Sequence, residues 1–388
     1  MNSLNKDFIY LDNNATTKTD DRVVEAMLPY FTELYANASS SHSFGLKILN
    51  DIQNARLKVA NLINAGPPEI VFTSGGTESI NIALQGFAVA NQQNGNHIIT
   101  VETEHKATLE TCKYLESIGF EISYLPVISD GLIDLNLLKN TLREGTILVC
   151  VMFVNNETGV IQPIKEISNI THQAGAIFMC DATQAVGKIE VDVRNLGIDI
   201  MAFSSHKFYG PYGVGVLYIN DFKRNRFKIK PLIYGGGHEN GLRSGSLNVP
   251  GIVGLGKACE IAKKEMNANT YRIGLLRDKL EKELLELPNS CLNGNKKNRI
   301  YNVSNICFSG IDADILIGKM KNIAVATGSA CSSALLEPSH VLKAMGLSED
   351  DAMASIRFSL GKFNTEEEIT SAIQIIHNLL IDYTLSNA

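Results

Sequence analysis

Two residues in this sequence carry the strongest chemical signal, a lysine at the end of an apolar run and a cysteine among small residues. Lys207 stands in Ser204-Ser205-His206-Lys207-Phe208-Tyr209-Gly210-Pro211, ahead of a glycine-broken turn. A primary amine so placed can bond an aldehyde without steric hindrance, as Schiff-base catalysis requires. A lone lysine is otherwise a surface residue. Cys331 stands in Ala326-Thr327-Gly328-Ser329-Ala330-Cys331-Ser332-Ser333-Ala334, with no packing stripe around it. Small polar neighbours suit an exposed loop in which a thiol ionises and meets a substrate. A structural cysteine is more often set among larger apolar side chains.

Further candidates fall at other element ends. Asp181, in Cys180-Asp181-Ala182-Thr183-Gln184, closes an apolar run, and an aspartate buried there is costly unless a cation or hydrogen bonds meet it. A protonated pyridine nitrogen is such a cation; capping of the next helix is the alternative. Asp181 and Lys207, each at a strand end, form the pair that a pyridoxal-phosphate site requires. Thr73-Ser74-Gly75-Gly76-Thr77-Glu78 lies at a strand-to-helix junction, where backbone N–H groups can approach a phosphate. A plain turn with a threonine cap is the simpler reading, and the Walker pattern is absent. His105, in Glu104-His105-Lys106, can stack on a planar cofactor and relay protons near neutral pH, or serve only as a structural hydrogen-bonding residue. Asn155-Asn156-Glu157-Thr158-Gly159 offers an amide to ligand oxygens, or an Asx-turn. Arg357, in Ser355-Ile356-Arg357-Phe358-Ser359, suits bidentate capture of a carboxylate, although a structural ion pair would use it equally well.

The elements that must position these residues follow from periodicity. Short β-branched and apolar runs alternate with amphipathic helical patterns from about residue 50 to 220, the rhythm of βα units around a mainly parallel sheet. Strands are expected near residues 70–73, 97–101, 122–125, 147–151, 176–180, 198–204 and 213–219. Helices are expected over 77–88, 106–118 and 163–173, the last with Pro163 in its first turn. After the glycine-rich Tyr234-Gly235-Gly236-Gly237-His238, a long helical pattern over 252–287 connects to a smaller α+β unit from about Tyr301 onward. The first residues of the chain are expected to pack beside that unit.

With 388 residues, 45 % of them hydrophobic, the chain exceeds one ordinary compact domain. A net charge of -6 gives no footprint for nucleic acid or an anionic membrane, so small molecules and proteins are the expected partners. No apolar run reaches membrane-spanning length and the first ten residues lack a signal-peptide core, which predicts a cytoplasmic protein. Seven scattered cysteines without a C-x-x-C pair argue against a disulfide framework and a zinc knuckle.

Together these motifs resemble the class V aminotransferase group of pyridoxal-phosphate enzymes, and within it the NifS/IscS-like cysteine desulfurases. The resemblance runs from Tyr10-Leu11-Asp12-Asn13-Asn14-Ala15-Thr16-Thr17 to Leu360-Gly361, and its most specific parts surround Lys207 and Cys331. It implies the aspartate aminotransferase-like fold: a large domain (15–255) with a mainly parallel seven-stranded sheet, and a smaller α+β domain (1–14 and 256–388) carrying the cysteine loop. It implies that Lys207 bonds the cofactor, Asp181 pairs with its pyridine nitrogen, Gln184 contacts its ring hydroxyl and His105 stacks on the ring. Gly76, Thr77, Ser204 and His206 match phosphate-binding positions. Ser246 matches a residue that reaches the phosphate of the neighbouring subunit, which implies a homodimer. Asn156 and Arg357 match substrate-binding positions, with Arg357 on the carboxylate of L-cysteine.

The implied reaction releases L-alanine and leaves the sulfur as a persulfide on Cys331, for transfer to an iron–sulfur scaffold or another acceptor protein. No resident metal is implied, although Cys331 would be able to ligate an iron–sulfur cluster transiently with a scaffold. Leu335-Leu336-Glu337-Pro338 is similar to the group that serves iron–sulfur cluster assembly. The alternatives are a selenocysteine lyase or other class V enzyme, and a non-catalytic component of a sulfur-transfer assembly.

Overall fold

The computed structural model describes residues 8–220, 227–327 and 337–387. Cys331 and its expected loop lie outside the described residues. In chain order the strands are β1 (Ile9–Tyr10), β2 (Ile70–Thr73), β3 (His97–Val101), β4 (Glu121–Leu125), β5 (Thr146–Cys150) and β6 (Ile177–Asp181). Then follow β7 (Ile200–Ser204), β8 (Gly215–Ile219), β9 (Ser290–Leu292), β10 (Val303–Phe308), β11 (Ile323–Ala324) and β12 (Ser355–Ser359).

Seven of these form the central sheet, in the order β2-β8-β7-β6-β5-β3-β4. It is mainly parallel, as expected; β8 alone runs antiparallel to both of its neighbours. Strands buried on both faces need continuous apolar runs, and β3, β5, β6, β7 and β8 are buried at every residue. The edge strand β4 is exposed at Glu121 and buried only at Leu125.

Side chains alternate between the two faces with the period of a strand. Met201 and Phe203 join one core, which the helices Ser43–Leu62 and Ile164–Gln173 cover. Ile200 and Ala202 join the other, covered by Gly76–Asn91 and Lys106–Ser117. Helix Ile164–Gln173 starts one residue later than expected because Pro163 is its N-cap rather than its first helical residue. The expected strand 213–219 begins only at Gly215. There the chain passes so close to the next loop that a Cβ on Gly215 would lie 2.5 Å from Gly75 Cα.

A 37-residue helix, Val249–Leu285, leads out of this layer, with Pro250 in its first turn. Its first half contributes Ile252, Leu255 and Cys259 to the core of the central sheet, and its second half contributes Ile273, Leu280 and Leu284 to a separate core. That second core is closed by the antiparallel sheet β9-β10-β12 and by helix Glu366–Asn387. The start of the chain returns to it, as expected: β1 pairs in parallel with β11, and Leu11 is fully buried there.

Candidate active site

In open α/β sheets, ligands sit outside the carboxyl ends of the strands. Here those ends carry Glu104 and His105 after β3, Asn156 after β5, Asp181 at the end of β6, and Ser204 to Lys207 where β7 gives way to a 3-10 turn. Of these, His105, Asn156, Asp181, Ser204, His206 and Lys207 border a cavity of about 1290 Å³, which Gly76, Thr77, Gln184 and, from β12, Arg357 also line.

One end of the cavity is built for an anion. Gly76 and Thr77 open a 16-residue helix, whose first N–H groups have no intrahelical acceptor and whose dipole favours negative charge. A Cβ on Gly76 would stand 3.2 Å from Thr183 Oγ1 and 3.7 Å from Ser204 Cβ, so glycine keeps this cradle open. His206 beside it stacks on Tyr212 at 4.9 Å between ring centroids. Burial, then the nearby Lys207, pushes His206 down to about 4, which leaves it a neutral hydrogen-bonding group near neutral pH.

Lys207 Nζ donates to the backbone carbonyls of Asn14 at 2.8 Å and Ala15 at 2.7 Å. Asp181 is 5 % exposed, and its Oδ1 accepts from Thr183 N at 2.9 Å. The helix-capping role weighed as the alternative is not what forms, since turns rather than a helix follow at residues 183–188, and this bond engages only one carboxylate oxygen. His105 is the N-cap of helix Lys106–Ser117, and its Nδ1 accepts from Ala107 N at 3.1 Å. That bond leaves the proton of the neutral ring on Nε2. Burial lowers the pKa of His105, opposed by Asp181 and reinforced by Lys207.

At the opposite end, Arg357 reaches in from β12 and is 5 % exposed. Its Nη2 pairs with Asp12 Oδ1 at 2.6 Å and its Nη1 donates to the Asn156 carbonyl at 3.1 Å. Its Nε has no partner among the described residues. A buried guanidinium with a spare donor at a cavity wall suits a carboxylate. Ser246 is exposed and is not among the residues lining the cavity.

Several polar groups here were not singled out from the sequence. Asp12 and Asn14 sit inside the Tyr10–Thr17 motif, yet nothing local marks Asp12 as the partner of an arginine 345 residues away. Buried Lys188 bonds Gln184, four positions earlier, a spacing that could have been noticed. Glu104 is fully buried, and its Oε1 accepts from Met152 N. Burial, then the nearby Asp181, raises its pKa well above the usual carboxylate range.

The model of the aminotransferase class-V family matches residues 9–371. The chain belongs to the class V aminotransferases. This family is pyridoxal-phosphate dependent, and the open glycine cradle at a helix start, the half-buried Lys207 amine and the buried carboxylate fit that cofactor in one cavity. Among class V relatives, "Cysteine desulfurase IscS" of Anaeromyxobacter dehalogenans is 50 % identical over 369 residues, covering 95 % of this chain and 91 % of that protein. A solved structure titled "NIFS-LIKE PROTEIN" superposes with a TM-score of 0.90 at 40 % identity, over 96 % of this chain and 99 % of the other. One titled "SspA in complex with cysteine" gives 0.81 at 36 % identity, over 92 % and 100 %.

Proposed function

We infer that this class V enzyme is a cysteine desulfurase, which converts L-cysteine to L-alanine and passes the sulfur onward for iron–sulfur cluster assembly. The observation that carries this reading is the meeting of Lys207, Asp181 and Arg357 in one cavity, in a chain half identical to a cysteine desulfurase. When bound, pyridoxal phosphate supplies an electron sink for the charge that develops on the substrate's carbon skeleton.

Lys207 would hold the cofactor, Asp181 would keep its ring nitrogen protonated, and Gln184 would meet its ring oxygen. The helix start at Gly76 and Thr77, with Ser204 and His206, takes the phosphate. Arg357 and Asn156 orient the substrate carboxylate. His105 would lie against the cofactor ring and, with Nδ1 occupied by the Ala107 N–H, has Nε2 with which to hold or move a proton. In the sulfur step the Cys331 Sγ, as thiolate, bonds to the substrate sulfur and the substrate C–S bond breaks. The electron pair stays with the three-carbon fragment, which takes up protons and leaves as L-alanine. Cys331 then bears a persulfide, and a protein acceptor such as an iron–sulfur scaffold receives its outer sulfur.

The position of Ser246, exposed and away from the cavity of its own chain, supports a homodimer in which it reaches the partner's phosphate site. The two cores joined by one long helix support a division into residues 15–255 and a smaller unit of 1–14 with 256–388. Five buried free cysteines support a reducing compartment, the cytoplasm. Among the described residues no helix is long and apolar enough to cross a membrane.

The test is mass spectrometry of the enzyme after L-cysteine, alongside alanine analysis. One added sulfur on the Cys331 peptide, formed with alanine, is the expected result. Turnover of selenocysteine or keto-acid acceptors with none of L-cysteine would replace this reading with a selenocysteine lyase or an aminotransferase.

A further inference from the structure

We propose that Lys188 is a positioning residue that fixes which end of the Gln184 amide faces the cofactor, and thereby sets the proton affinity of the cofactor's ring oxygen. The proposal rests on the reading that pyridoxal phosphate occupies the cavity and that Gln184 meets that oxygen.

Lys188 is 4 % exposed, which is rare for a lysine without a carboxylate partner. Its Nζ instead meets two neutral acceptors, Gln184 Oε1 at 2.5 Å and Asn14 Oδ1 at 3.1 Å. The charged or titratable groups that act with it are Lys207, Arg357 and His206, so an ammonium here would add a further positive charge beside them. Burial and the charges of Lys207 and Arg357 lower its pKa well below the usual lysine value. A neutral amine has two N–H bonds, and the two acceptors match them; an ammonium would have a third donor to place.

The consequence falls on Gln184. Its Oε1 is committed to Lys188, and its Nε2 donates one hydrogen to the Asn14 carbonyl at 2.9 Å. The second Nε2 hydrogen remains for the cavity that Gln184 lines. Turning the amide over would set its oxygen against the carbonyl of Asn14, losing that buried hydrogen bond, and would take from the Lys188 N–H the acceptor it now has. Lys188 therefore holds Gln184 as a donor, which favours an anionic ring oxygen. The same amine orders the floor on which Lys207 rests, because the Asn14 carbonyl accepts from Lys207 and from Gln184 alike.

The experiment is a pH titration of the visible absorbance of the cofactor-loaded enzyme, run on the parent, Lys188→Met, Gln184→Ala and the double variant. Lys188→Met is expected to move the midpoint upward by roughly one pH unit, the effect of one hydrogen bond to a charged oxygen. In the Gln184→Ala background the same substitution is expected to add no further shift, because Lys188 acts through that amide. Lys188→Gln, which keeps an N–H donor, is expected to leave the midpoint at the parent value. It carries the test should Lys188→Met not fold. An unmoved midpoint in Lys188→Met, an equal shift in both backgrounds, or a shift in Lys188→Gln as large as in Lys188→Met would overturn the proposal. A parent enzyme with no visible absorbance after loading would instead overturn the cofactor reading on which it rests.

Discussion

Replacing Glu157 with glutamine should stabilise the protein in alkaline but not in acidic solution. Glu157 is 3 % exposed, on the loop after β5, and its Oε2 accepts from Ser339 Oγ. Burial raises its pKa from 4.5 to about 7, against the opposing effects of the Ser339 bond and of Arg357 and Lys106. A folded-state pKa above the unfolded value means that the native carboxyl binds its proton more tightly. Below the unfolded pKa of 4.5 both states are protonated and the site costs nothing. As pH rises through the window from 4.5 to about 7 the unfolded chain gains by ionising, and above it the native state must carry a buried carboxylate. At 1.36 kcal/mol per unit the full penalty is about 3 kcal/mol. Glutamine keeps an acceptor for Ser339 and cannot ionise. Urea unfolding of parent and Glu157→Gln at about pH 5 and about pH 8 should therefore show the advantage of the variant growing by roughly 2 to 3 kcal/mol between the two. A stability difference independent of pH would refute the reasoning, since it would mean that Glu157 is already ionised at low pH.

Two further outcomes follow from the same cavity. Arg357→Gln removes the guanidinium proposed to hold the substrate carboxylate and strands Asp12, its partner at 2.6 Å. The KM for L-cysteine should rise roughly 30- to 100-fold in steady-state assays, with the cofactor absorbance retained. Asp181→Asn keeps an oxygen for the Thr183 N–H but offers no charge to a protonated ring nitrogen. Alanine formation should fall at least about 100-fold while the cofactor remains bound, because a neutral amide cannot favour the protonated ring.

The sequence was most informative where local chemistry and local structure coincide. Short, continuous, β-branched apolar runs such as Ile177–Cys180 and Ile200–Phe203 read as strands buried on both faces, so the central sheet, with Asp181 at one strand end and Lys207 just past another, was legible from pattern. Strand starts were less legible: the strand expected from 213 begins at Gly215, where the close approach of the Gly75 backbone governs and no propensity reports it. Least legible were the contacts closed by long returns of the chain. The pairing of β1 with β11, the ion pair of Asp12 with Arg357 and the bond of Ser339 to Glu157 each join residues far apart in sequence. Lys188 was missed for another reason. Lysine is ordinarily a surface residue, and only the packed structure shows its amine enclosed by two amides.

The central claim is that Lys207 carries the cofactor, and a second amine makes it sharply testable, since Lys188 and Lys207 both lie close to Asn14. Borohydride reduction of the loaded enzyme followed by peptide mapping reads the attachment point directly. The account predicts a reduced, acid-stable adduct on the peptide containing Lys207 and none on the peptide containing Lys188. An adduct on Lys188, or none on either lysine, would contradict it.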